Sequence, residues 1–385
     1  MKAGKTAKVE NSPKSSLKTV RHPELVEGSA ADGCAPISLK SSLAGKTAEM
    51  PWSSLRTKLA RWYASAKRDL PWRRTTDPYA ITVSEIMLQQ TQVVTVIPYY
   101  ERWLKIFPTW KALAEAKEHD VIKAWEGLGY YRRARNLQGL AKAVAQAGGE
   151  MPRSEAGLLA LPGIGPYTAA AVGSIAFGLP LAVLDGNVMR VLTRLLAMGE
   201  DIALPQTRAK LQAIADEFLD VRDPSSHNQA VMELGATVCL PRKPMCLICP
   251  LQGGCKGRDR AEEFPVKSRV AQVKRTEIVA ILKKGKSFYC EQVPEGKPWH
   301  GLWRFPDFDA AHMEQGETIA KIKYGITKYS VTMEAISAKW VAVALRATDG
   351  QRSGRYLTAD EMQSLAFAAP HRKLAASVTK KPLPN

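Results

Sequence analysis

Apolar residues recur at helical spacing from about residue 51 to residue 240. Leu55, Leu59, Trp62 and Tyr63 mark a first helix, which Leu70-Pro71-Trp72-Arg73 breaks. Residues 80–100 read as the next helical segment, with Ile81, Val83, Ile86, Met87, Val93, Val94 and Ile97 on its apolar side. The pattern continues through Trp103, 110–113 and 121–125 to a turn at Gly127-Leu128-Gly129, and resumes over 207–219 and 227–238. Nothing before residue 240 reads as a strand.

Beyond residue 275 the pattern changes. β-branched and aromatic residues over 277–290, interrupted by Lys283-Lys284-Gly285-Lys286, predict a strand-turn-strand hairpin. A helix is expected near Ile319, a strand pair over 326–335 and 339–344, and a last helix around 359–367. Residues 276–385 thus form an α+β domain of ordinary size. Residues 261–275 are a polar, basic linker. Residues 1–50 show no sustained apolar period and are expected to be disordered. Met50 directly precedes the first helix, so this leader reads as a tail without function or a start set too early. No hydrophobic core of a signal peptide occurs in it.

The stretch 161–191 organises the rest. Leu161-Pro162-Gly163-Ile164-Gly165 predicts a tight turn, its two glycines supplying positive φ. A small-residue helix over 168–177 follows, closed by Gly178 and Pro180, and a short apolar run then delivers Asp185 before Gly186-Asn187. A hairpin between two helices aims backbone N–H groups at one point, where a phosphate fits. Asp185 by itself reads either as a helix N-cap or as an acid close to a nucleic-acid backbone.

Other candidates are equally two-sided. Glu85 lies among apolar residues, so it is a surface carboxylate or a buried acid with a raised pKa, ready to donate a proton. Tyr130-Tyr131-Arg132-Arg133-Ala134-Arg135 suits a nucleic-acid face, with guanidinium groups on phosphates and a tyrosine in the base stack. The same residues also describe a helix with one buried tyrosine and a solvated basic side.

Charge narrows the partner. The 385 residues carry a formal net charge of +18, more than half of it within 51–275. That suits a polyanion, although charge alone does not separate DNA from RNA or an acidic membrane. No run of apolar residues is long enough to span a membrane. Of the six cysteines, Cys239, Cys246, Cys249 and Cys255 crowd together, a ligand pattern in place of a secreted disulfide framework. A reducing, cytoplasmic setting follows. Thiolates are soft ligands, so the choice lies between zinc and an iron–sulfur cluster.

Taken together, these motifs resemble the helix-hairpin-helix superfamily of endonuclease III, and within it the MutY-type adenine DNA glycosylases. The residues that carry the resemblance are LPWR at 70–73, SEIMLQQTQV at 84–93, GLGYYRRARNL at 127–137, LPGIGPYT at 161–168, LDGNVMRV at 184–191 and NQAVMELGA at 228–236. It implies a mostly α glycosylase domain over 51–260, with a [4Fe–4S] loop at 239–255 held by the four cysteines. A C-terminal α+β Nudix-like domain over 276–385 is implied by GLWRFP at 301–306. The implied activity is removal of adenine mispaired with 8-oxoguanine or guanine in double-stranded DNA, by a monomer.

The resemblance also assigns roles. Glu85 is the acid for the leaving adenine, and Asp185 stabilises positive charge on the sugar. Tyr167 and Asn187 assist at the sugar and the attacking water, while Trp72, Arg73 and Gln229 line the adenine pocket. Gln90 and Tyr130 enter the duplex, Leu88 lies beside the opposite base, and Thr91, Gly163 and Gly165 contact DNA. Bifunctional relatives carry a nucleophilic lysine where this chain has Tyr167, so a monofunctional, water-using enzyme is implied. The alternative is an endonuclease III-like glycosylase/lyase acting on oxidised pyrimidines. The C-terminal domain lacks the glutamate-rich REUxEExGU helix of active Nudix hydrolases, so a binding role remains. Where the family carries a Phe-Ser-His loop that reads 8-oxoguanine, this chain has Ile326-Thr327-Lys328. Thr327 is the expected lesion reader, with Lys328 on phosphate.

Overall fold

The computed structural model describes residues 50–268, 271–297, 299–326, 328–341 and 354–379. The leader over residues 1–49, Thr327 and the end of the strand expected over 339–344 lie outside the described residues.

Thirteen described helices and six strands carry the chain. Helix α1 (Trp52–Ala66) buries Trp52, Leu55, Leu59 and Tyr63, one stripe at helical spacing. A 3-10 turn over Pro71–Arg73 follows, and then α2 (Pro78–Leu88), opened by Pro78 and by Asp77, whose carboxylate accepts from the Tyr79 N–H at 2.9 Å. Every residue of α2 from Tyr79 to Met87 is buried, so it is a central helix with no solvent face. The single segment expected over 80–100 is in fact two helices. The chain breaks after α2, where Gln90 adopts φ 54°, and restarts as α3 (Val93–Ile106).

Short helices α4 (Trp110–Glu115) and α5 (Glu118–Trp125) lead to the Gly127–Gly129 turn and α6 (Arg132–Gln146). The hairpin region is α7 (Glu155–Leu159) and α8 (Pro166–Phe177). Then come α9 (Gly186–Leu195), α10 (Pro205–Phe218) and α11 (Pro224–Thr237).

Two cores divide these helices into lobes. One gathers side chains of α2 to α7, including Trp103, Trp125 and Leu137; the other gathers α1 with α9, α10 and α11. Helix α8 serves both, with Ala169 and Val172 in the first core and Ala170 and Ala171 in the second. Its small side chains let the two lobes approach closely. The cleft beside α8 receives Glu85 from one lobe and Asp185 from the other.

The C-terminal region is a six-stranded sheet: β1 (Val273–Lys284), β2 (Ser287–Gln292), β3 (Trp303–Arg304), β4 (Met313–Ile326), β5 (Tyr329–Trp340) and β6 (Gly354–Leu357). The order is β3-β2-β1-β5-β4, with β6 also on β2; β1 and β5 run parallel and the other pairs antiparallel. The hairpin over 277–290 is present as β1 and β2. The helix near Ile319 is not: it lies in β4, an edge strand bulged between Gln315 and Ala320. Ala320, Ile322, Tyr324 and Ile326 alternate with exposed neighbours, a period of two that packing on β5 enforces. The strand pair expected over 326–335 and 339–344 is not formed among the described residues: Tyr329–Trp340 is one continuous strand, β5, and its antiparallel neighbour is β4. Two helices close the domain, α12 (Ala359–Ser364) and α13 (Ala369–Val378); only the first was expected.

The sheet region packs on the helical domain. Leu302, Ala366 and Ala368 join the first helical core, and the Glu126 carboxylate accepts from the Phe367 N–H at 3.1 Å and from Arg372 Nε at 2.7 Å.

Candidate active site

A cavity of about 670 Å³ opens between the two helical lobes. Trp72, Arg73, Glu85, Leu88, Gln90, Thr91, Tyr167, Asp185, Asn187 and Gln229 all line it. The four residues expected to act on the sugar and base thus share one space with the three expected to hold adenine.

Glu85 sits on the third turn of the all-buried helix α2 and is 5% exposed. The surface alternative for this residue is therefore excluded. The Tyr167 hydroxyl, at the start of α8, donates to Glu85 Oε2 at 2.7 Å. Burial pushes the Glu85 carboxyl up, and nearby Asp185 adds to that; the tyrosine bond and Arg73 offset part of it, leaving a pKa of about 7. An acid so placed is partly protonated at neutral pH, which is what proton donation requires.

Asp185 is the helix N-cap of its first reading, and it also lines the cavity. One oxygen caps α9 by accepting from the Val188 N–H at 2.7 Å, and the other accepts from Asn187 Nδ2 at 3.2 Å. Burial raises its pKa, against the pull of those donors. Asn187 is itself fixed by Arg190, whose Nη2 reaches Asn187 Oδ1 at 2.7 Å and the Gly235 carbonyl at 2.8 Å. A Cβ on Gly235 would stand 2.6 Å from Asn187 Cβ, so only glycine lets α11 approach this closely.

Two cavity residues, Glu233 and Arg68, are absent from the candidates that the sequence suggested. Glu233 of α11 is buried and receives Arg68 Nε at 2.8 Å, Arg68 Nη2 at 2.8 Å and Arg73 Nη2 at 2.9 Å. Burial raises its pKa, but the two arginines outweigh that and bring it down to about 2. The signal was available: Glu233 stands among Val231, Met232 and Leu234, as Glu85 does among its own apolar neighbours. Arg68 carried no such mark.

The DNA-facing expectations divide. Gln90 is exposed, and Tyr130 is 51% exposed at the mouth of the Gly127–Gly129 turn. The hairpin loop is exposed at Gly163 and Gly165, but only Gly163 has positive φ, at 79°. Gly165 has φ −97° and caps α8; a Cβ there would meet open space. The basic face expected of three arginines is reduced to one. Arg132 is exposed, whereas Arg133 is buried against backbone carbonyls, and Arg135 is paired with Glu118 at 2.7 Å and with the His300 carbonyl. Lys328 lies at the β4–β5 turn with its ammonium 5.6 Å from the Tyr329 ring centre.

Cys239, Cys246, Cys249 and Cys255 are unbridged, partly buried and line one small cavity at the end of α11. Buried Arg194 binds this loop from inside, through Cys239 Sγ at 3.3 Å and the Leu240 and Pro241 carbonyls at 2.6 and 3.1 Å. Among the described residues no three metal-ligating side chains are gathered as ligands of a single ion. Arg242, Lys243, Lys256, Arg258 and Arg260 stand exposed around the loop.

Known proteins give the wider setting. A family model described as HhH-GPD superfamily base excision DNA repair protein matches residues 83–217. The chain is similar to human adenine DNA glycosylase, 47% identical over 268 residues, which are 66% of this chain and 49% of the human protein. It is also similar to the adenine DNA glycosylase of Buchnera aphidicola subsp. Schizaphis graminum, 32% identical over 275 residues, covering 70% of this chain and 79% of that one. The chain spans about half the length of the mammalian relatives it matches. Among solved structures, a thermostable thymine-DNA glycosylase superposes with a TM-score of 0.49 at 28% identity, over 54% of this chain and 97% of that one.

Proposed function

We infer that this chain, which belongs to the adenine DNA glycosylase family, hydrolyses the N-glycosidic bond of adenine mispaired with 8-oxoguanine or guanine in duplex DNA. One observation carries the reading: a buried glutamate of pKa about 7 shares a cavity with a second, separately held carboxylate. Two carboxyls kept in different environments divide into acid and stabiliser.

Glu85 donates its proton to a ring nitrogen of the leaving adenine. The C1′–N9 bond breaks, and the positive charge that builds on the sugar faces the Asp185 carboxylate, an electrostatic role suited to a dry site. Water adds to C1′ and its proton returns to the carboxylate pair, so the enzyme ends as it began. Asn187 holds Asp185 and the water in place; Tyr167 holds Glu85. Trp72 offers a flat wall to the base, and Arg73, Gln229 and the Arg68–Glu233 pair offer polar edges. Position 167 carries a phenol and no amine, which supports a monofunctional enzyme over the lyase alternative.

On the DNA side, the Gly163–Gly165 loop takes a backbone phosphate, Gln90 and Tyr130 enter the stack vacated by the adenine, and Leu88 and Thr91 lie beside the opposite strand. Extrusion costs a few kcal/mol of pairing and stacking, which such wedges offset. The sheet domain is a Nudix-like module that reads 8-oxoguanine, with Thr327 and Lys328 as its contacts. The four cysteines fit a thiolate-bound [4Fe–4S] cluster: they surround one cavity and have Arg194 beside them. When bound, the cluster would cross-link the loop and hold its basic rim toward DNA. Among the described residues no helix is long and apolar enough to cross a membrane.

The test is an excision assay on duplexes bearing adenine opposite 8-oxoguanine, guanine, cytosine and thymine. Free adenine from the first two, without strand nicking, is the expected result. Release of an oxidised pyrimidine with nicking, and no adenine, would favour the endonuclease III-like alternative.

A further inference from the structure

Among the described residues Arg133 has no carboxylate hydrogen-bond partner, although it is only 9% exposed. Its guanidinium is held by neutral oxygens from two separate segments, the end of α2 with the loop after it and the Gly127–Gly129 turn. Nη1 donates to the carbonyls of Ile86, Met87 and Gln89 at 2.9, 3.0 and 2.6 Å, closing the end of α2. Nη2 donates to the carbonyls of Leu128 and Gly129 at 3.0 and 3.1 Å and to Thr91 Oγ1 at 3.3 Å. The rings of Trp125 and Tyr130 lie 5.3 and 5.6 Å from its central carbon.

A cation closing one helix C-terminus is ordinary. Here the same group reaches the residues on either side of Gln90 and the two residues directly before Tyr130. Both Gln90 and Tyr130 hold left-handed backbone, with φ 54° and 47°. For a residue with a Cβ that conformation is unfavourable, and it persists only where its surroundings enforce it. Both side chains are also exposed, and Gln90 lines the cavity.

We propose that Arg133 is a positioning residue that locks the two DNA-entering tips, Gln90 and Tyr130, at a fixed separation, so that base extrusion depends on it although it touches no DNA. The inference rests on the reading of this chain as an adenine DNA glycosylase whose tips enter the duplex. A lysine has three donors on one nitrogen and cannot span both segments; the planar fork of arginine can.

The test uses the full-length protein, Arg133→Met and Arg133→Lys, and two substrates. In one, adenine is paired opposite 8-oxoguanine; in the other it faces an abasic-site analogue, where pairing no longer resists extrusion. Single-turnover adenine release by Arg133→Met is expected to fall at least about tenfold on the paired duplex, because pairing and stacking oppose extrusion there. On the unpaired adenine the rate should stay near wild type. Arg133→Lys should show the same split to a smaller degree, and it carries the test if the methionine variant does not fold. Equal losses on both substrates would overturn the proposal, since Arg133 would then act through the fold of α2 and Glu85. No loss on either would overturn it too. If the wild type releases adenine from neither substrate, it is the glycosylase reading that fails.

Discussion

The Tyr167 hydroxyl donates to Glu85 Oε2 at 2.7 Å, joining two helices whose contributing residues are 82 positions apart in the chain. A donor to a carboxylate favours its charged form, so this bond holds the Glu85 pKa below where burial alone would put it. The acid must be protonated to act, and activity should therefore decline as pH rises through about 7. Tyr167→Phe removes the donor and should move that decline to higher pH. The pH profile of single-turnover excision measures it; a limb that stays in place or moves to lower pH contradicts the assignment.

The same shift carries a stability cost. Glu85 is raised from 4.5 to about 7 in the folded protein. A raised pKa contributes stability that is fully present below the unfolded value and lost as pH climbs through the folded one. Glu85→Gln replaces the carboxyl by a neutral near-isostere that does not titrate. The variant should gain on wild type between pH 5 and pH 8, by something on the order of 3 kcal/mol at the upper end. Denaturant unfolding at the two pH values reads this directly, and a gap independent of pH would contradict it.

Much of this was readable from sequence, and the failures have physical causes. Helix α1 shows one apolar stripe, so periodicity finds it. Helix α2 is buried all round, so no face distinguishes Glu85 as inside or outside; only its neighbours on α8 and α9 decide. Arg132, Arg133 and Arg135 are equivalent as letters, yet one is exposed, one binds carbonyls and one is paired, because tertiary contacts sort them. Strand β4 is an edge strand with a polar, glycine-containing start, and its alternation emerges only over residues 320–326. The hairpin, Asp185 and the cysteine loop were legible because their spacing is itself the structure.

Gly235 tests the packing behind the second carboxylate. An alanine Cβ would stand 2.6 Å from Asn187 Cβ and 3.1 Å from its Cα, which cannot be absorbed by a flexible side-chain end. Gly235→Ala should displace Asn187 and with it the Asp185 donor, at an overpacking cost of about 1–3 kcal/mol. Adenine excision should fall while duplex binding persists. A variant with wild-type excision and melting would show that Asn187 tolerates the shift.

The cysteine loop yields a chemical prediction. Purified protein should be yellow-brown and contain about four irons and about four sulfides per chain. Metal and acid-labile sulfide analysis checks it; colourless protein with stoichiometric zinc would contradict the cluster.

The central claim is that Glu85 delivers the proton that releases adenine. Its most direct test is single-turnover adenine release by Glu85→Gln on an adenine:8-oxoguanine duplex, with binding of the same duplex measured alongside. The account predicts release slower by at least about a hundredfold, the usual worth of a general acid, with duplex affinity retained. Release within about tenfold of wild type by a variant that binds normally would contradict it, since a true general acid is worth more than that.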